Sequence, residues 1–411
     1  MVRLGGNFRR WGGILFGLIA SLSLGAEDWP NFRGPRHDGV SNETGRRLDW
    51  AAAAPEIVWR AEVGIGFSAF AVVAGKAFTI GHVTGEDVVS CLDEDSGRVI
   101  WTHRYSSELG AKFYIGGPGS TPTVDSQAGL VHVMGKWGEV LCLSIDDGAV
   151  KWRRQLARDA DFLVPDWGFN GSPLLWGGLV ILNMGSAGVA LEGETGKIVW
   201  RSKGDECGYS TPVPYRAKNR EMIAVSSGEA YSGVNARTGK VEWAVPWFTR
   251  YGVNAADPII WRDEVFVSSG YQQGSGLFPL GGGELRAKWK QRRFRAQQNA
   301  PVRIGSYLYG FDGDSSSRAK LKCLSWETGE VQWEDETFGY GALSAVGDHL
   351  ILISSKGRLG IAKASPSGFK VMGSLPVLEA DCWTVPVLAN GRILCRNSHG
   401  SVVSVDIRAA K

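Results

Sequence analysis

The side chains able to do chemistry are scattered through the 411 residues. The six histidines, His37, His82, His103, His132, His349 and His399, never fall in an H-x-H or H-E-x-x-H spacing, so none has the register of a metal ligand set. The six cysteines include no C-x-x-C and no adjacent pair. No nucleophile elbow surrounds a serine, and the glycine-rich runs lack the Gly-Lys-Ser/Thr ending of a phosphate loop. Phe311 to Ser317, FDGDSSS, starts like an acidic calcium loop but has no later Glu, which makes it a strand turn. No catalytic set is legible by spacing alone.

What does recur is a short segment in which small polar residues gather around single aromatics. It reads GFSAF, GGPGSTP, GFNGSP, GYSTP, YGVNAADP, QQNAP, GYGALS and CWTVP, starting at about Gly66, Gly117, Gly168, Gly208, Gly252, Ala296, Gly339 and Ala380. Asn170, Tyr209, Asn254, Asp257, Gln298, Asn299, Tyr340 and Trp383 are therefore the candidates to face a ligand. The competing reading is architectural: Gly, Ser and Pro permit a tight crossing between sheets while the aromatics cap the core.

The elements that position these segments are written in a second repeat. LEGETGKIVW ends at Trp200, and LDEDSGRVIW, LSIDDGAVKW, VNARTGKVEW and LSWETGEVQW end at Trp101, Trp152, Trp243 and Trp333, each with Gly four places before the Trp. Weaker copies end at Trp59 and Trp289, and an eighth carries Met372 at the Trp place. The marks lie 39 to 51 residues apart, the period of a four-stranded propeller blade. In each strong copy a Ser-Gly, Asp-Gly or Thr-Gly pair separates two β-branched runs, which is a hairpin signal. Strict alternation puts Val99 with Trp101, Val150 with Trp152, Ile198 with Trp200, Val241 with Trp243 and Val331 with Trp333 on one buried face. A small residue (Cys91, Cys142, Ala190, Gly233, Cys323) precedes a large one in the strand before, and is read as giving room for close sheet packing near the axis, with the Trp wedged between sheets as a docking residue.

The ends of the chain complete the pattern. Thr384 to Ile407 supplies three strands and lacks a fourth, and Pro55 to Val63 is one isolated strand; together they close the ring. The expected fold is all-β: an eight-bladed β-propeller of four-stranded antiparallel blades, closed by an N-terminal strand completing the last blade. Residues 1–26 read as a signal peptide, basic and then apolar over Trp11 to Ala26; 27–54 as an arm lying along the domain surface with Trp29 and Phe32 as anchors; and 55–411 as the propeller. The apolar run is short for a bilayer span, so the chain is expected not to span a membrane, and no Cys stands at the cleavage point to take a lipid. The protein is therefore expected in the periplasm or outside the cell. Without Arg3, Arg9 and Arg10 the Lys+Arg total equals the 42 Asp+Glu, so nucleic acid is not expected as a partner. A monomer with buried thiols is expected. Two longer connections, Thr102 to Gly116 and Arg153 to Trp167, belong on one face of the channel as a lid or partner surface, and KWKQRRFR after Ala287 reads as a solvated outer edge.

The T-G-x-[VI]-x-W copies, with the arm DWPNFRGPRHDGVS and the segments YLYGFDGD, FGYGALSAVGDHLILIS and CWTVPVLANGRILCRNSHG, resemble the pyrroloquinoline quinone (PQQ)-like propeller repeat family across nearly the whole chain. One branch, the quinoprotein alcohol dehydrogenases, implies bound quinone and Ca²⁺, with Asp257 as the candidate base and Asn254 beside it as a metal ligand. This chain departs from that branch in having no adjacent Cys pair and almost no Arg or Lys in the lead-in segments to hold a polycarboxylate. The other branch, the propeller lipoprotein of outer-membrane barrel assembly, implies a scaffold for partner proteins. The resemblance thus implies an exported, non-catalytic binding propeller whose partner is an envelope protein or an extracellular polymer. The alternatives are a quinoprotein dehydrogenase and a propeller that binds or processes polysaccharide.

Overall fold

In the computed structural model the described residues are 1, 25–51, 53–281, 285–313 and 319–408. They form eight four-stranded antiparallel sheets, each built from consecutive strands except the last. Blade 1 comprises Ala71–Val73, Lys76–Val83, Glu86–Asp93 and Val99–Ser106; blade 8 comprises Val387–Ala389, Arg392–Arg396 and Ser401–Asp406. Glu56–Glu62 supplies the outer strand of blade 8, antiparallel to Ser401–Asp406, with Glu56 opposite Asp406 and Glu62 opposite Ser401. The ring is therefore shut by pairing its two ends, and blade 8 gains its fourth strand. Among the described residues helix is confined to Leu156–Asp159 and a 3₁₀ turn at Arg250–Gly252.

Neighbouring blades are joined by the repeated Trp. The indole Nε1 of Trp59, Trp101, Trp152, Trp200, Trp289 and Trp333 donates to the carbonyl of Glu94, Ile145, Gly193, Ala236, Trp326 and Ser365 in the next blade, over 2.7–3.2 Å. The accepting carbonyl lies three residues before the Gly of the next copy. Five of those glycines (Gly97, Gly148, Gly196, Gly239, Gly329) sit flat on the preceding indole, so close that a Cβ would fall 2.5–2.6 Å from it. The Thr-Gly turn and the Trp are thus two halves of one contact, each useless without its neighbour. Trp243 is the exception: its Nε1 donates to Tyr215 Oη within its own blade at 2.7 Å.

Two local expectations are corrected. Val99, Val150, Ile198 and Val241 do not share the buried face of the Trp; they are exposed, Val99 at 55%. The outer strand of each of the five strong copies carries a β-bulge just before the Trp, as where Leu92 pairs with Val99 but Cys91 with Trp101, and the extra residue reverses the alternation. Nor does the small residue of the third strand serve packing near the axis. Cys91, Cys142, Ala190, Gly233 and Cys323 lie directly across the strand pair from Trp101, Trp152, Trp200, Trp243 and Trp333, and are small because the indole lies over them. All six cysteines are buried free thiols.

The arm also departs from expectation: it crosses the mouth of the channel instead of lying along the surface. Trp29, 1% exposed, exchanges two backbone hydrogen bonds with Val72 of blade 1, and the Pro30 carbonyl accepts from Val124 of blade 2. Across the ring, buried Arg33 donates to the Ala300 and Pro301 carbonyls at the inner strand of blade 6. Val40–Ser41 then pairs in parallel with blade 7, and Glu43 accepts from the Gly391 N–H of blade 8. Buried apolar and backbone groups hold the arm there because the ring offers the inner-strand edges as partners. Of the expected signal segment 1–26, residues 2–24 lie outside the described residues, as do residues 314–317 of the FDGDSSS stretch.

Candidate functional site

With one end shut by the arm, the channel becomes a dead-end cavity of about 400 Å³, within the range of small-molecule sites. Phe32 of the arm reaches it, and the lead-in segments and connections of several blades form its walls. A chain of hydrogen bonds sets these segments in register. Ala69 N–H donates to Thr121 Oγ1, Thr121 N–H to Ser172 Oγ, Ser172 N–H to Thr211 Oγ1 and Thr211 N–H to Asp257 Oδ1, over 2.7–3.0 Å. Each acceptor precedes a proline, which fixes the local backbone, and each reaches the blade before it. The series stops at Asp257 because the equivalent residue of blade 6, Ala300, has no side-chain acceptor.

Among the described residues Asp257 is the one carboxyl in the lining, and no Lys, Arg, His or Cys lines the cavity with it. Burial pushes its pKa up to about 6, against the pull of Arg33 and of the Thr211 N–H. Arg33 lies behind it; its guanidinium is spent on the Ala300, Pro301 and Asp38 carbonyls. The remaining lining is aromatic or neutral: Phe67, Tyr114, Trp167, Tyr209, Tyr271 and Trp383 alternate with Asn170, Gln297, Gln298, Asn299 and Thr384. Phe67 stacks on Trp383 (5.6 Å, 20°) and leans on Tyr114 (5.6 Å), while Trp167 meets Tyr209 edge-on at 5.9 Å.

The structure brings Asn170, Tyr209, Asp257, Gln298, Asn299 and Trp383 together in this cavity and leaves two candidates out. Asn254 is fully buried outside it, donating to the Ser227 and Trp247 carbonyls and accepting from Ser269 Oγ, so it fastens a connection. Tyr340 stands behind Gln298 and donates to its Oε1 at 2.7 Å. Sequence reasoning missed Phe32, Phe113 and Tyr114, which come from the arm and the first long connection, and Gln297, whose position next to Gln298 was the only signal. Thr102 to Ser106 and Arg153 to Gln155 are strand; the connections begin after them, at residues 107 and 156. The first is latched by buried Lys136, which donates to the Gly110 carbonyl at 3.0 Å and to Tyr114 Oη.

A bound quinone with Ca²⁺ does not fit these residues. A polycarboxylate requires cationic partners, whereas the lining presents a carboxylate, and Asn254, the metal-ligand candidate, is turned away and fully engaged. Among the described residues no group of three His, Cys, Asp or Glu side chains stands close enough to hold a metal ion. A second, open recess between blades 1 and 2 contains His82, whose Nδ1 lies 3.0 Å from Asp87 Oδ1. Its Nε2 already accepts the Gly85 N–H, so this pair has no nitrogen left for a serine.

Comparison with known proteins follows the fold. The family model described as outer membrane protein assembly factor BamB matches residues 47–160 and 85–335. Among solved structures, BamB from Moraxella catarrhalis is 16% identical, with 87% of this chain and 99% of that one covered, at a TM-score of 0.64. A quinohemoprotein alcohol dehydrogenase from Comamonas testosteroni is 12% identical (93% and 81% covered, TM-score 0.63), and a europium-containing methanol dehydrogenase is 12% identical (93% and 90%, TM-score 0.67). At these identities the structures share the fold alone. No curated protein sequence matches. No helix among the described residues is long and apolar enough to cross a membrane.

Proposed function

Because the chain belongs to the family described as outer membrane protein assembly factor BamB, we propose that it is an exported, non-catalytic binding propeller of the cell envelope, with the open face of the channel as its working surface. The observation that carries this is the chemistry of the cavity: flat aromatic walls, neutral amides, and one carboxyl already committed to a backbone N–H. Such a set binds and orients; among the described lining residues it has no second carboxyl and no His, Lys or Cys to exchange a proton with Asp257 across a substrate. On the same face, the inter-blade connections expose Phe113, Leu163, Phe248 and Tyr251, apolar groups suited to a partner protein. Export is supported by the basic and apolar opening of the sequence.

Two measurements test the reading. Protein incubated with the quinone and Ca²⁺ is expected to show no cofactor absorbance on re-isolation and no dye-linked alcohol oxidation; turnover lost in Asp257→Asn would replace it with a dehydrogenase. Crosslinking in intact envelopes is expected to recover a reproducible partner that Phe113→Ser with Phe248→Ser releases, and a pattern indifferent to that pair removes the partner surface.

A further inference from the structure

Four amides line the cavity, and each is held by one end only. Asn170 donates from Nδ2 to the Trp167 and Gly168 carbonyls, both at 3.1 Å, and Asn299 donates from Nδ2 to the Trp383 carbonyl at 3.0 Å; each keeps Oδ1 without a protein partner. The two glutamines are held the other way round. Gln297 Oε1 accepts the Gly270 N–H at 2.5 Å and Gln298 Oε1 the Tyr340 hydroxyl at 2.7 Å, which leaves both Nε2 groups without one. The outcome is two acceptors and two donors on side chains whose rotamers are already fixed, the preorganisation that lowers the entropy lost on binding.

The ligand classes separate on this pattern. An anion meets Asp257 and, among the described lining residues, no cation. A purely apolar ligand strands the amide donors and acceptors. An ammonium ion suits the rings but faces the Gln297 and Gln298 N–H groups with nothing to offer them. A pyranose ring has an apolar C–H face for the Phe67–Trp383 stack and hydroxyls that both donate and accept. We propose that the cavity binds the terminal residue of a neutral glycan, its ring against Trp383 and its hydroxyls on the four amides and Asp257. A chain end is required because the arm, with Phe32 at the cavity, closes the far side to a through-running polymer. This rests on the reading of the chain as a binding propeller.

The test is calorimetric titration of the intact protein with neutral disaccharides (cellobiose, maltose, lactose, xylobiose, mannobiose and N,N′-diacetylchitobiose) and with digalacturonic acid. Saturable binding of at least one neutral sugar and none of the uronate is expected, weakened about tenfold or more by Trp383→Ala and about tenfold by Gln298→Leu. Thermal unfolding verifies that each variant is folded, and Gln298→Leu carries the test should Trp383→Ala not be. No neutral sugar bound, or binding indifferent to the variants, overturns the proposal. Native mass spectrometry of protein drawn from envelopes separates the failures: a retained non-sugar molecule released by the cavity variants ends the glycan assignment alone, and no ligand with no crosslinked partner ends the binding reading as well.

Discussion

Gly239→Ala isolates the contact that holds the ring together. Gly239 has a φ of +72°, and a Cβ there would stand 2.6 Å from Trp200 Cε3, well inside van der Waals contact. Alanine in this left-handed backbone costs about 1 kcal/mol. Overpacking against an indole that is 8% exposed adds about 1–3 kcal/mol, and displacing the ring breaks its 2.9 Å hydrogen bond to the Ala236 carbonyl, worth about 1 kcal/mol. The expected loss is about 3–5 kcal/mol. Gly305 provides the reference: its φ is +60° and nothing lies within 4 Å of an added Cβ, so Gly305→Ala should cost only the backbone share, about 1 kcal/mol. Urea unfolding followed by tryptophan fluorescence compares the two midpoints at equal slope. Because the penalty comes from the ring, Trp200→Leu should cost less in the Gly239→Ala background than alone, a coupling a double-mutant cycle reads directly. Equal midpoints for the two alanine variants, or additive effects in the cycle, would refute the docking argument.

Other consequences are as concrete. Asp257, raised from 3.8 to about 6 by burial, holds its proton in the folded state where the unfolded chain has lost it. Stability should therefore fall as pH rises from about 4 to about 6, by about 3 kcal/mol, and Asp257→Asn should flatten that part of a melting-temperature profile; an unchanged profile contradicts the assignment. Arg33→Met leaves the Ala300, Pro301 and Asp38 carbonyls without their donor and removes the charge behind Asp257, so a loss of at least about 2 kcal/mol and faster tryptic cleavage in the arm at Arg36 are expected; a tightly protected arm argues against its role as plug. Burial pushes the Cys91 and Cys142 thiols up to about 12, and all six cysteines are free and buried. A thiol reagent should titrate them only on unfolding, and reductant should leave the melting temperature unchanged; rapid labelling of the native protein would contradict this.

How much was legible follows from the range of each interaction. The Thr-Gly turn, the β-branched runs beside it and the Trp four places on are local, so the sequence alone determined hairpins, a blade period, eight blades and a borrowed first strand at Glu56–Glu62. It also placed Asn170, Tyr209, Asp257, Gln298, Asn299 and Trp383 in the segments that meet in the cavity, because equivalent positions of a ring must converge. The bulge before the Trp of the strong copies escaped it, since one inserted residue leaves the pattern of residue types intact while moving Val99, Val150, Ile198 and Val241 into solvent. So did Asn254, whose bonds reach Ser227, Trp247 and Ser269, and the path of the arm, whose partners lie in blades 1, 2, 6, 7 and 8. Only the closed ring decided these, because the buried carbonyls and inner-strand edges that capture Trp29, Arg33 and Val40 exist nowhere in the chain until all eight blades are in place.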